Sequence, residues 1–428
     1  MSPASPAATR PRTSSALALD TSLCSAVLSA LRRSDQRRKG AVYVHGLLNV
    51  PGRKTMRNLA AHTGEHAAEQ SLHHFISAST WDWVGLRARL AHRLEEDLGP
   101  RAWVVRPMTI PKAGTRSVGV ERRYVPHLGR TVNCQHSWGL WYAAEHGSAP
   151  VNWQLSLGPE WLADDVLRRS VAIPDRLRAD SPEPLAAGIA VQVAGWGVAL
   201  RPVVMDAREV AAAPVIRALS AAGLPFLLRI GAGTPLVAPG LAGGRTVATT
   251  AAHLAELALR QRRPVEWTDP AAPRTVRTSL VSLLPVSWPG HGPVPRPTGP
   301  GPGESAPSRL ALVAEWGLNR PGAVTLWVTD MADAGRGALL RLGKLVDRVA
   351  ADADAIADGV GLRDFEGRSY QGWHRHMSLV SLAHAARLLD PDPRRSRRPA
   401  LGASGADGAR AAAPRPGRGS ASPDRAAS

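Results

Sequence analysis

The chain has 428 residues, enough by length for two or three domains, and its 53 Lys and Arg against 35 Asp and Glu give a net charge of +18 at pH 7. Arginine supplies most of the excess, and guanidinium forks suit phosphates, so a polyanionic partner is favoured even in a chain whose Ala, Arg, Gly and Pro content also reflects composition alone. Two cysteines, Cys24 and Cys134, exclude a disulfide framework and a cysteine-based zinc site; no apolar run reaches the ~18 residues of a membrane span, so the expectation is a soluble, cytoplasmic protein.

Residues 1–18 are rich in Ser, Pro, Ala and Thr and read as a disordered basic N-terminus without the apolar core of a signal peptide. Residues 19–100 carry helical periodicity. Leu23, Val27, Leu28 and Leu31 precede the basic run Arg32, Arg33, Arg37, Arg38 and Lys39. A second amphipathic stretch covers Met56 to Ala68, and a third runs from Trp83 to Leu98 with Leu86, Leu90 and Leu94 on one face. Basic residues flank all three, so this region is read as a helical, DNA-contacting domain, with a solvated helical surface as the competing reading.

The pattern changes at Arg101. AWVVRPMTI, SVGVERRYV and TVNCQHSWGLWYA read as three strands. A helix over Glu183 to Ala194, the strand RPVVMDA, a helix from Val210 to Ala222 and the strand LPFLLRI follow, so residues 101–230 are the first part of an α/β core. Residues 231–320 read as a β-rich insertion ending in a Gly/Pro loop. RLALVAEW and AVTLWVTDM are further strands. Residues 321–389 close the core with a helix from Gly335 to Asp358 and a last helix over Ser378 to Leu389, and 390–428 are a disordered basic tail. No Walker loop, dinucleotide fingerprint or Gly-x-Ser-x-Gly elbow occurs.

Four blocks carry a resemblance: YVHGLLNVPGRKTMRNLA with LHHFISASTWDW; WVVRPMTIPKAGTRSVGVERRYVPHLGRTVNCQ; VVMDA followed by a helix and LPFLLRI; and GLRDFEGRSYQGWHRHMSLVSLAHA from Gly361 to Ala385. In these and their order the chain resembles the transposases of bacterial insertion sequences, DDE enzymes on a ribonuclease H-like fold. The resemblance implies DNA ends as partner and two divalent ions, magnesium or manganese, held by two Asp and one Glu for phosphodiester transfer. It leaves a homodimer open.

Carried over position by position, the second Asp is Asp206, at the end of an apolar strand; a helix N-cap is its ordinary alternative. The first Asp is replaced. Arg106 and Pro107 stand where the family has an Asp pair, ahead of the matching Pro111 and Lys112. Counting back from Gly361 puts Ala350 at the Glu position and Ala357 at a family Lys, with Asp347 or Asp354 as a substitute on the same helical face. Arg348, Arg368, His374 and Arg375 are expected on the DNA-facing surface, with Glu366 holding Arg368. The expected function is a transposase-like DNA-binding protein with impaired cleavage. An active transposase with a rearranged metal site (Asp206 with Asp354 or Asp347) and a domesticated regulatory protein are the alternatives.

Overall fold

Five helices precede the first strand in the computed structural model, which describes residues 21–63, 68–125, 128–175, 177, 182–242, 245–269, 272, 275–289, 310–318 and 325–390. The expected disordered N-terminus and tail, and most of the Gly/Pro loop, lie outside these residues. The helices are α1 (Thr21–Leu28), α2 (Ser34–Asn49), α3 (Met56–Thr63), α4 (Ala68–Ser77) and α5 (Trp83–Leu98). Helix α5 begins at Asp82, whose carboxylate accepts from the Val84 and Gly85 amides. It ends at Gly99 in the left-handed region. Leu86, Leu90 and Leu94 recur every four residues and are buried together.

Four strands follow: β1 (Ala102–Pro111), β2 (Val120–Val125), β3 (Arg130–Ala144) and β4 (Gly147–Leu155). Next come α6 (Pro159–Ala163), α7 (Asp165–Ser170), α8 (Pro182–Ala194), β5 (Val203–Asp206), α9 (Ala212–Ala221) and β6 (Phe226–Ile230). Strand β1 runs antiparallel to β3 and parallel to β5, which is parallel to β6. Strand β3 is long enough for two partners on its other edge, β2 along Arg130–Gln135 and β4 along Ser137–Ala144. The order β4-β3-β1-β5-β6, with β4, β3 and β1 antiparallel and β5 and β6 parallel to β1, is the expected ribonuclease H-like core. The apolar runs of β5 and β6 are buried as interior parallel strands require.

The segment read as an insertion mostly joins this same sheet. Strands β7 (Pro235–Ala242) and β8 (Arg245–Thr250) form a separate pair, followed by α10 (Ala251–Leu257). Strands β9 (Arg263–Thr268), β10 (Val276–Val286), β11 (Leu310–Gly317) and β12 (Thr325–Thr329) extend the main sheet outward from β6 in the order β12-β11-β10-β9. They satisfy the backbone edge that β6 would otherwise leave open.

Helices α11 (Arg336–Asp352) and α12 (Tyr370–Leu388) complete the chain, joined by a π-helical turn at Ala353–Ala357 and the loop from Gly361 to Ser369. Helix α12 starts eight residues before the expected Ser378, at a cap where the Ser369 hydroxyl accepts from the Gly372 amide. Every residue from Gly372 to Ala386 is buried. The helix packs between α2, α4 and α5 on one side and β4 on the other, so the N-terminal helices and the sheet share one core.

Candidate functional site

Parallel strands present their functional groups at their C-terminal ends. Here β1 and β5 pair Trp103 with Val203, Val104 with Val204 and Val105 with Met205, which brings the next pair, Arg106 and Asp206, level. Asp206 pairs in turn with Arg229 of β6. Residues level across parallel strands share a face, so a guanidinium, a carboxylate and a second guanidinium lie in a row.

The Asp206 carboxylate is held by Arg208, whose Nε donates at 2.9 and 3.1 Å and whose Nη2 donates at 2.7 Å. A guanidinium nitrogen of Arg229 stands 3.6 Å away. The Arg208 amide donates to Asp206 Oδ1 as well, at 3.2 Å. This fork contact raises the pKa of Arg208 still further. Arg106 moves the other way: burial lowers its pKa, Asp354 and Asp358 oppose that shift, and Arg363 adds to it. Asp354 sits exposed in the π-helical turn, where its charge acts on Arg106.

Asp347 lies three residues before Ala350 on α11. Burial raises its pKa, while Lys344 and Arg229 pull it down, and Glu315 and Asp269 add to the rise. Among these carboxylates the ion pairs belong to Asp206, with Arg208 and Arg229; the charges of Lys344 and Arg229 act on Asp347, and that of Asp354 on Arg106, without a direct pair.

This donor set does not fit a divalent ion. Among the described residues no three His, Cys, Asp or Glu side chains converge as metal ligands. An ion beside Asp206 would have to displace the Arg208 fork and sit next to Arg229. Repulsion between unit charges ~4 Å apart is ~4 kcal/mol at an effective dielectric of ~20, and doubles for a divalent ion.

The residues expected on a DNA-facing surface sit differently. Arg348 is buried and reaches Asp352 at 3.6 Å, and Asp352 accepts from Ser148 Oγ of β4 at 2.8 Å, so the pair braces α11 against the sheet. His374 is buried, stacked on Trp83, with Nδ1 accepting from Arg87 at 3.1 Å. Arg375 is buried too: it donates to the carbonyls of Trp81 and Ile76 and to Gln371, between the rings of Trp81 and Trp83. A phosphate backbone cannot reach these three. Arg348 spends its charge on Asp352, Arg375 on carbonyls and ring faces, and His374 its ring on Trp83 and Arg87. Arg368 is exposed, but Glu366 pairs with Arg53 at 3.3 Å and not with Arg368.

The loop that carries Arg368 is fixed by the other family-like blocks. Asp364 accepts from the Lys54 amide at 2.8 Å, and Lys112 donates to the Phe365 carbonyl at 2.6 Å. Burial, with Arg53 nearby, pulls the Lys112 ammonium down to about 8. Gly361 has φ +86°, and a Cβ there would lie 2.6 Å from Lys54 Cγ; its carbonyl accepts from His376 Nε2 at 3.0 Å.

Arg208 and Arg229 escaped the sequence reading, although the first stands two residues after Asp206 and the second interrupts the apolar run FLLRI. A family model described as DDE superfamily endonuclease matches residues 26–288. The match takes in positions 106 and 206 and ends before α11, which carries Ala350. A search among curated proteins finds no match.

Proposed function

The chain belongs to the DDE superfamily endonucleases, and from that membership we propose that it is a transposase-like DNA-binding protein that has lost strand cleavage and transfer. The observation that carries this reading is the Asp206 carboxylate held by Arg208 and Arg229, with Arg106 level on the neighbouring strand. Two-metal chemistry needs hard oxygen ligands that converge on the ions, which in turn activate water and stabilise the leaving oxygen. Guanidinium groups keep positive charge at the same place. They attract a phosphodiester and donate hydrogen bonds to it, but they do not turn water into a nucleophile at neutral pH. The site is thus suited to holding a DNA backbone without cutting it.

The test is nicking of supercoiled plasmid by the purified chain in magnesium and in manganese, with Asp206→Ala alongside, together with a DNA-binding titration across salt. Neither protein should nick, and affinity should fall steeply with salt because phosphate contacts release counterions. Manganese-dependent nicking that disappears in Asp206→Ala would overturn the loss of cleavage. Absence of DNA affinity at physiological salt would favour the domesticated, DNA-independent reading instead.

A further inference from the structure

We propose that the β2–β3 hairpin is a binding surface for unpaired DNA, with Arg122 on a backbone phosphate and Tyr124 stacked on a base. The inference rests on the DNA-binding reading above and specifies which DNA form is held and where.

The register of the sheet carries the argument. Strands β1 and β3 pair Arg106 with Gly139, Met108 with Ser137 and Ile110 with Gln135. Strands β2 and β3 pair Val120 with Gln135, Arg122 with Asn133 and Tyr124 with Thr131. Opposed residues and every second residue along a strand share a face, so Arg122 and Tyr124 lie on the face that carries Arg106 and Asp206. From Gly139 to Thr131 is eight residues of β3, or ~26 Å of strand at ~3.3 Å per residue. A strand of DNA laid across the arginine-filled centre would run on to this hairpin.

Burial along the same face changes abruptly. Gln135 and Val120 are in the core, Arg122 is exposed, and Tyr124 is 60% exposed. A large ring held in solvent on a paired strand has no packing role to explain it. Arg122 stands two residues away on the same face, the exposed Arg130 and half-buried Arg123 lie on the other face of the hairpin, and no ion pair among the described residues takes up any of the three. The hairpin base is anchored next to the Gly361 loop, where the Val118 amide donates to the Arg368 carbonyl at 3.2 Å. Exposed aromatic rings set among guanidinium groups are the usual platform for single-stranded nucleic acid, because the ring needs an open base face that a duplex does not offer. The flanking positive charge argues against an apolar or basic protein partner.

The experiment is fluorescence anisotropy of the full chain with three labelled DNAs: a single strand, a blunt duplex and a duplex with a frayed end. Tyr124→Ala should weaken binding to the single strand and the frayed end about tenfold and leave the blunt duplex unchanged. Tyr124→Phe, which keeps the ring, should bind like the parent. Arg122→Ala should weaken single-strand binding and reduce the salt slope by about 0.7, one phosphate contact. Equal affinities of parent and Tyr124→Ala for all three DNAs would overturn the proposal while leaving the DNA-binding reading intact. The same holds for a loss that Tyr124→Phe fails to restore. A parent that binds none of the DNAs overturns both.

Discussion

Arg87 and His374 meet inside the protein, Nη2 to Nδ1 at 3.1 Å, and the other acceptors on the same guanidinium are neutral. They are Ser378 Oγ, Asn152 Oδ1 and the carbonyls of Trp153 and His374. One side chain of α5 thereby ties together β4 and α12. Full burial lowers the Arg87 pKa to about 9.

Replacing Arg87 with Met would remove five hydrogen bonds and leave several buried acceptors unpaired. The expected loss is about 3–5 kcal/mol, since each orphaned buried group costs ~1–3 kcal/mol and the structure relaxes only in part. Arg87→Lys should recover little of it, because an ammonium cannot span the same acceptors. Urea unfolding of the two variants checks this; a loss below ~1 kcal/mol in Arg87→Met would mean the network does not hold the layers together.

Acid should weaken the fold well before carboxylates are protonated. His376 and His384 are fully buried and pulled down to about 4, and His374 lies well below the ordinary histidine value, in each case chiefly by burial. The unfolded chain takes up protons at all three as pH falls through ~6.5, whereas native His376 and His384 do not until about 4. Their stabilisation is complete above ~6.5 and declines below it, by up to ~3 kcal/mol for each of His376 and His384 at pH 4. Asp347 and Asp352, lifted by burial, act in the opposite sense and offset part of the decline. The urea midpoint should fall between pH 7 and pH 5, and His384→Gln should reduce that dependence by about one proton. A midpoint flat across this interval would contradict the neutral, buried assignment.

The core strands were legible because alternation and apolar runs mark them, and Asp206 because it ends one such run. Strand β4 was not, for a local reason: Pro150 lies opposite Trp141, where the β3–β4 register shifts, and Asn152 follows, so the pattern looks like a loop. The first half of α12 was hidden by its own burial. A helix enclosed on all sides has no polar face, and His374 and Arg375 read as DNA-facing until their buried partners are seen. The partners of Asp206 come from strand register, Arg229 being brought level by the β5–β6 pairing, which spacing along one segment does not encode.

The outer strands are fixed to α11 by a second buried network, and its members should be strongly coupled. Glu315 of β11 accepts from Lys344 at 2.8 and 2.9 Å and from Ser279 Oγ at 2.7 Å, while Trp267 Nε1 donates to Ser279 and its ring lies 4.2 Å under the Lys344 ammonium. Lys344→Met leaves a carboxylate buried with one neutral donor, and Glu315→Leu leaves the ammonium with a ring face and the more distant charge of Asp347. Each should cost about 3 kcal/mol, and the double variant clearly less than the sum, because removing both ends leaves no unpaired charge. A double-mutant cycle by urea unfolding measures the difference; strict additivity would mean that the two groups are solvated independently.

Cation dependence separates a silent centre from one merely at rest. With Arg208 and Arg229 on Asp206, magnesium, manganese or a chelator should leave the melting temperature of the parent unchanged, since a ligand stabilises only a state that binds it. The combined variant Arg106→Asp, Arg208→Ala, Ala350→Glu removes two cations and restores carboxylates at the two positions where the family resemblance expects them. It should melt higher in manganese than in chelator, by an amount that grows with concentration and reaches about 2.7 kcal/mol at 100 times the dissociation constant. The variant needs no restored activity for this readout, because the shift reports binding alone. A parent whose melting temperature rises with manganese would show that guanidinium groups leave room for an ion, and the fit argued from Asp206 would be wrong. A variant that stays indifferent would mean that Ala350 does not stand where the third ligand is required, and Asp347 or Asp354 would become the position to rebuild.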